Sequence, residues 1–167
     1  MSRARELGTY AGKILQVQST IKTDTFSTTS GSVTDITGLS VSITPASTSN
    51  KVLVIARVNI GLVRTDPFLY PLFLFRDSTN LGIHDSASNR TRAHSGGQWP
   101  CASSDPTVDY VLEFLDSPSS TSSLTYKVAM FSESSGTAYV NRGNEADGDA
   151  AITARFTSVI TVQEVAG

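Results

Sequence analysis

The side chains best suited to hold a soft metal ion in this sequence are His84, His94 and a single cysteine, Cys101. The step of ten residues between the histidines is not a zinc-finger spacing, and Cys101 joins them only if the intervening loop folds back. Polar loop histidines are the plainer reading. A shared site on a three-fold axis, one histidine from each of three chains, is the alternative, and no metal is assigned. The segment Asn141 to Asp149, NRGNEADGD, offers oxygen ligands and flexible glycines. Its acidic residues do not fall at alternate positions ahead of a glycine and a closing glutamate, so it reads as a solvated turn rather than a calcium loop.

Nucleophilic chemistry has little to stand on. With 24 serines in the chain, the presence of Ser, His and Asp carries no information, and there is no Gly-x-Ser-x-Gly elbow. A glycosidase would need two carboxylates about 5–10 Å apart across a cleft. Asp105, Asp109, Glu113 and Asp116 are available, but nothing in their spacing selects a pair. Glycine-rich phosphate loops are absent as well. No catalytic residue and no cofactor is assigned, and the chain is read as non-enzymatic.

The segment from His84 to Ser104, HDSASNRTRAHSGGQWPCASS, gathers both histidines, two arginines, a pair of glycines and the one tryptophan. Loops carried by a rigid scaffold are the usual seat of binding residues, and Arg and Trp are enriched at interface hot spots. Arg90, Arg92, His94, Gln98 and Trp99 are therefore the candidate contacts. The alternative for Trp99 is ordinary packing under the loop or against a neighbouring copy.

The elements that would carry this loop are strands. Hydroxyl residues are abundant, with 20 threonines beside the serines, while charged residues are only 17% of the 167 residues. Low charge with many Ser, Thr and Val residues favours β structure with hydroxyl-rich outer faces. Leu39 to Thr44 alternates apolar and hydroxyl residues, stopping at Pro45. Lys51 to Ile60, KVLVIARVNI, puts Val52, Val54, Ala56, Val58 and Ile60 on one face and Leu53 and Ile55 on the other, which predicts a strand covered on both sides for half its length. Val108 to Phe114 and Leu124 to Met130 alternate likewise, and Ala154 to Val165 is apolar enough for a central strand. Turn clusters fall at Thr28 to Ser32, Pro45 to Asn50, Asp85 to Gly97, Asp116 to Ser123 and Asn141 to Gly148. The expectation is an all-β antiparallel sandwich or jelly roll of about eight to ten strands, one domain over residues 13–167, with residues 1–12 as a short arm.

Charge and termini bound the partners. Thirteen basic against fifteen acidic residues give a net charge of −2, which argues against a generally basic nucleic-acid binder. No run approaches 18 apolar residues, so insertion into a membrane is not expected. Residues 1–8 lack the apolar core of a signal peptide, and a lone cysteine excludes an internal disulfide, which together suit synthesis in a reducing cytoplasm.

Several phrases in order carry a resemblance: Gly12 to Val17 (GKILQV), Lys22 to Ser27 (KTDTFS), Thr37 to Pro45 (TGLSVSITP), Phe75 to Thr79 (FRDST), Asn89 to Arg92 (NRTR), Leu115 to Pro118 (LDSP), Tyr126 to Val128 (YKV), Tyr139 to Arg142 (YVNR) and Ile160 to Val165 (ITVQEV). Over residues 12–165 the chain resembles virion structural proteins of tailed bacteriophages, the tail-fibre-like or appendage type met in marine and cyanobacterial phages. That resemblance implies a jelly-roll knob, homotrimeric and displayed on the outside of the virion, assembled in the host cytoplasm. Its implied partners are other copies of itself, other tail or capsid proteins, and a host-surface glycan or protein. It offers no catalytic residues. Pro67 to Pro71 (PFLYP) and Gln98 to Cys101 (QWPC) depart from the group's phrases, which marks them as candidate variable positions. In this setting Arg3, Arg5, Leu7 and Tyr10 are the expected contacts of the arm with a partner or neighbouring subunit. Capsid decoration, a cement role, is the alternative function, and a surface glycan hydrolase is a third.

Overall fold

A computed structural model describes residues 12–61, 68–99, 107–132, 136–143 and 154–167. The expected arm with Arg3, Arg5, Leu7 and Tyr10 lies outside the described residues, as do Cys101, Asp105 and the acidic run 144–150. Eleven strands are described: β1 (Ile14–Lys22), β2 (Phe26–Thr28), β3 (Thr34–Ile43), β4 (Lys51–Gly61), β5 (Phe68–Arg76), β6 (Thr79–Leu81), β7 (Ser95–Trp99), β8 (Thr107–Asp116), β9 (Leu124–Met130), β10 (Ala138–Val140) and β11 (Ser158–Val165). There is no helix among the described residues. The count exceeds the expected eight to ten because β2, β6 and β10 are three residues each, too short to show a period in sequence.

The strands form two antiparallel sheets. One runs β1-β11-β4, with β8 on the far side of β4 and β10-β2 continuing past the end of β11. The other runs β3-β9-β5, with β6 and β7 sharing the free edge of β5. Among the long strands the chain changes sheet at each step, from β3 to β4, β5, β8, β9 and β11. That alternation, with orders β1-β11-β4-β8 and β3-β9-β5-β7, is the jelly roll.

Period two decides what lies between the sheets. Val52, Val54, Ala56, Val58 and Ile60 of β4 all point inward and are fully buried, as the sequence pattern requires. They meet Leu39, Val41 and Ile43 of β3, Tyr126 and Val128 of β9, and Leu72 and Leu74 of β5 in one core. Each fully buried aliphatic of this kind contributes roughly 2 kcal/mol. In β3 a register shift between Asp35 and Ser40, with Gly38 at a φ of +80°, lets Ile36 and Leu39 both face the core although they stand an odd number of positions apart. A strict alternation would turn one of the two outward. Pro71 sits within β5 without cost to the β9 ladder, because that pairing begins at Leu72.

Buried polar groups fix the sandwich at both ends. Asp116 of β8 receives both hydrogen bonds of Arg76 Nη1, at 2.9 and 2.7 Å, and a third from the Tyr126 hydroxyl at 2.7 Å, which joins the two sheets. Burial and the Asp116 carboxylate push the Tyr126 phenol far above its ordinary range. On the other side of Val52, Glu164 is buried and accepts from the Gln16 amide, the Asn50 amide and the Ala46 backbone N–H. At the opposite end Asn141 donates to the Lys22 and Asp24 carbonyls and accepts from the Ser158 hydroxyl.

Candidate functional site

Residues 82–94 link β6 to β7 and fold over the side of β5 turned away from the core. Together they line an open cleft of about 250 Å³ formed by Leu69, Pro71, His84, Thr91, Ala93 and His94, with Ser95, Gly96 and Gly97 of β7 beside them. Two glycines make the approach possible. Gly96 has a φ of +123° and lies against the Tyr70 carbonyl and Pro71, where a β-carbon would collide. Gly97, paired with Tyr70, leaves the room that the Tyr110 hydroxyl from the other sheet occupies. Burial pushes the Tyr110 phenol above its usual range. Ser95, Gly96 and Gly97, expected in a turn, are therefore strand: missing side chains serve close backbone packing here rather than a bend.

The two imidazoles are positioned by main-chain carbonyls. His84 Nδ1 lies 3.0 Å from the Asp85 carbonyl, and His94 Nδ1 lies 3.2 Å from the Leu81 carbonyl. A carbonyl only accepts, so each Nδ1 carries the hydrogen and each Nε2 is left to a further partner. The His94 ring also packs edge-on against Phe114 at a centroid distance of 6.4 Å. Arg92 Nε donates to the His84 carbonyl at 2.7 Å, so this arginine ties the loop across eight residues. Leu69 and Pro71 give the cleft an apolar floor, and Thr91 adds a hydroxyl.

Of the candidate contacts, the structure brings His94 into the cleft. Arg90 and Arg92 are exposed and do not line it. Gln98 and Trp99 are backbone partners of Leu69 and Phe68 in the β5–β7 pairing, and their side chains lie outside the described residues. Sequence reasoning weighed His84 as a metal ligand and Leu69 and Pro71 as part of a variable phrase, without joining them to His94, and did not single out Thr91. The departure of the PFLYP phrase was the available signal for Leu69 and Pro71.

The described carboxylates weighed for a glycosidase do not form a pair across a cleft. Hydrogen bonds from Asn59 and Arg57 hold the Asp109 carboxyl below its usual range, Asp116 is the buried partner of Arg76, and Glu113 stands exposed on the far sheet. Asn141, first residue of the segment weighed for calcium, uses its amide inside the fold. No group of three or more possible metal ligands occurs among the described residues.

A second surface is built by β1, β11, β4 and β8. The strand registers set five outward rows: Asn59 and Asp109; Ile21, Val159, Arg57 and Val111; Ser19, Thr161, Ile55 and Glu113; Val17, Gln163, Leu53 and Leu115; and Ile14, Val165 and Lys51. The expectation that Leu53 and Ile55 are covered on their outer side is not met within one chain, where both remain partly exposed. β1 inverts the usual alternation. Its inward residues are Gln16, Gln18, Thr20 and Lys22, while Val17 and Ile21 point outward and are 52% and 63% exposed. Gln16 finds a polar partner inside, in the buried Glu164, and the buried Lys22 pairs with the exposed Asp24.

No protein-family profile matches the chain. No curated protein matches it either. Among solved structures, the chain is similar to infectious bursal disease virus Gt strain, with a TM-score of 0.45 and 14% identity over 93% of this chain and 39% of that one. It is also similar to the Gx strain of that virus, with a TM-score of 0.45, 13% identity and coverage of 93% and 38%. A mutant VP2 protein of infectious bursal disease virus, in derived T=1 particles, gives a TM-score of 0.44, 12% identity and coverage of 91% and 36%. The chain thus spans less than two thirds of each of these proteins.

Proposed function

We propose that this chain is a non-enzymatic structural protein of a phage particle, an exterior jelly-roll knob of the tail-fibre or tail-tip kind that attaches to the host surface. The observation that carries this reading is the division of the molecule. One sheet presents an outer face rich in apolar side chains, suited to burial against other virion subunits, and the other carries the histidine cleft at its edge. The resemblance of its sequence phrases to those of phage appendage proteins supports it. An apolar floor with a hydroxyl and two imidazoles suits a neutral, hydroxyl-rich ligand such as one sugar ring of a surface glycan, since the volume admits little more.

The test is binding of the purified chain to immobilised host envelope polysaccharide. Filling the cleft with Ala93→Trp should reduce binding at least tenfold and leave thermal unfolding unchanged. Equal binding by both proteins, or none by either, would overturn the attachment reading. The breadth of the apolar face favours a second reading, capsid decoration, in which the chain stabilises the head; heat resistance of particles with and without the protein distinguishes the two.

A further inference from the structure

We infer that the outer face of β1-β11-β4-β8 is buried against the same face of a second copy, as a two-fold dimer. This goes beyond the attachment reading and does not depend on it. Four strands at about 4.8 Å spacing and about eight residues at about 3.4 Å rise give a face of roughly 500 Å². Two such faces bury roughly 1,000 Å², the size at which specific interfaces begin. A face of this extent is of the size of the largest patch on a single chain, and such a patch is often an interaction site. The inverted β1 sharpens the point: Gln16 and Lys22 use the inward side for polar contacts, while Val17 and Ile21 are turned to solvent, where they bury nothing in the single chain.

Charge chooses the occupant. Lys51 and Glu113 are the exposed charges on this face with no ion-pair partner among the described residues. In the β4–β8 register, Glu113 stands opposite Ile55, Leu115 opposite Leu53, and Lys51 one outward step beyond Leu53. The two charges therefore lie on either side of the Leu53–Leu115 row. A two-fold axis running across the strands at that row stacks the leucines on their own copies. It also sets each Glu113 near the second copy's Lys51. A self-complementary pattern of this kind is what an isologous interface requires. It differs from the three-fold assembly that the phage resemblance implies.

The experiment is sedimentation equilibrium of the full chain over a concentration series at low salt, with circular dichroism to verify folding. The expected mass is twice the 17.7 kDa of one chain. Leu115→Lys, a change at a side chain 49% exposed, should give a folded monomer. Lys51→Glu and Glu113→Lys should each raise the dissociation constant about tenfold or more, by setting like charges together. The double variant should recover most of the loss. A monomer at every concentration would mean a different occupant, such as another virion protein, and would overturn the proposal. A trimer, a dimer indifferent to Leu115→Lys, or failure of the double variant to recover would overturn it too.

Discussion

Glu164 shows most plainly how single residues hold this sandwich. Burial works against its charge, yet hydrogen bonds from Gln16, Asn50 and the Ala46 N–H outweigh that and hold its carboxyl below the usual range. A carboxyl whose folded pKa lies below the unfolded value adds stability that is present above the unfolded pKa, about 4.3, and is lost as pH falls through the folded one. Glu164→Gln should therefore cost about 2 kcal/mol at neutral pH, read as a lower urea midpoint, and flatten the acid limb of the stability profile. Equal loss at pH 3 and pH 7 would show that the charge is not what Gln16 and Asn50 hold. None of this was legible in sequence. Glu164 sits in the ITVQEV phrase like any strand-end acid, and its partners come from residues 16, 46 and 50, far away along the chain.

At the scale of elements, the long strands were readable and the edges were not. The alternation of β4, β8 and β9 is set by one buried face, and a period of two reports that directly. The parity change in β3 needs a bulge that only the pairing with β9 reveals. β1 carries apolar residues at the right period but on the wrong side, since period alone does not say which face meets the core. β7 was read as a turn because glycine pairs usually mark one. Its glycines instead admit the Tyr70 carbonyl and the Tyr110 hydroxyl. Gly96→Ala should accordingly lower stability by about 1–3 kcal/mol, the cost of a strained left-handed residue, and detach β7 from β5. Hydrogen exchange would show this as lost protection at residues 95–98, with β9 unaffected. Retained protection there would mean that the strand does not need the glycine. Of the candidate site, His94 was legible as a polar residue of a rich loop. His84, Leu69 and Pro71 join it only through the folding of residues 82–94 across β5.

At the scale of the whole molecule, the jelly roll separates two surfaces. Its β1-β11-β4-β8 side exposes an outer face rich in apolar side chains, proposed above for assembly, and its β5-β7 edge holds a small cleft, proposed above for a ligand. Fold alone assigns neither job, since jelly rolls serve capsids, lectins and enzymes alike. The virion reading therefore stands on the phage-like phrases together with that two-sided build. The most direct test is the copy number of this chain in purified particles, by quantitative mass spectrometry against the major capsid protein. The account predicts a few to a few dozen copies per particle, as for an appendage at the tail. Absence from the particle would contradict the structural role, and a simple ratio to the capsid protein would contradict the tail placement in favour of decoration.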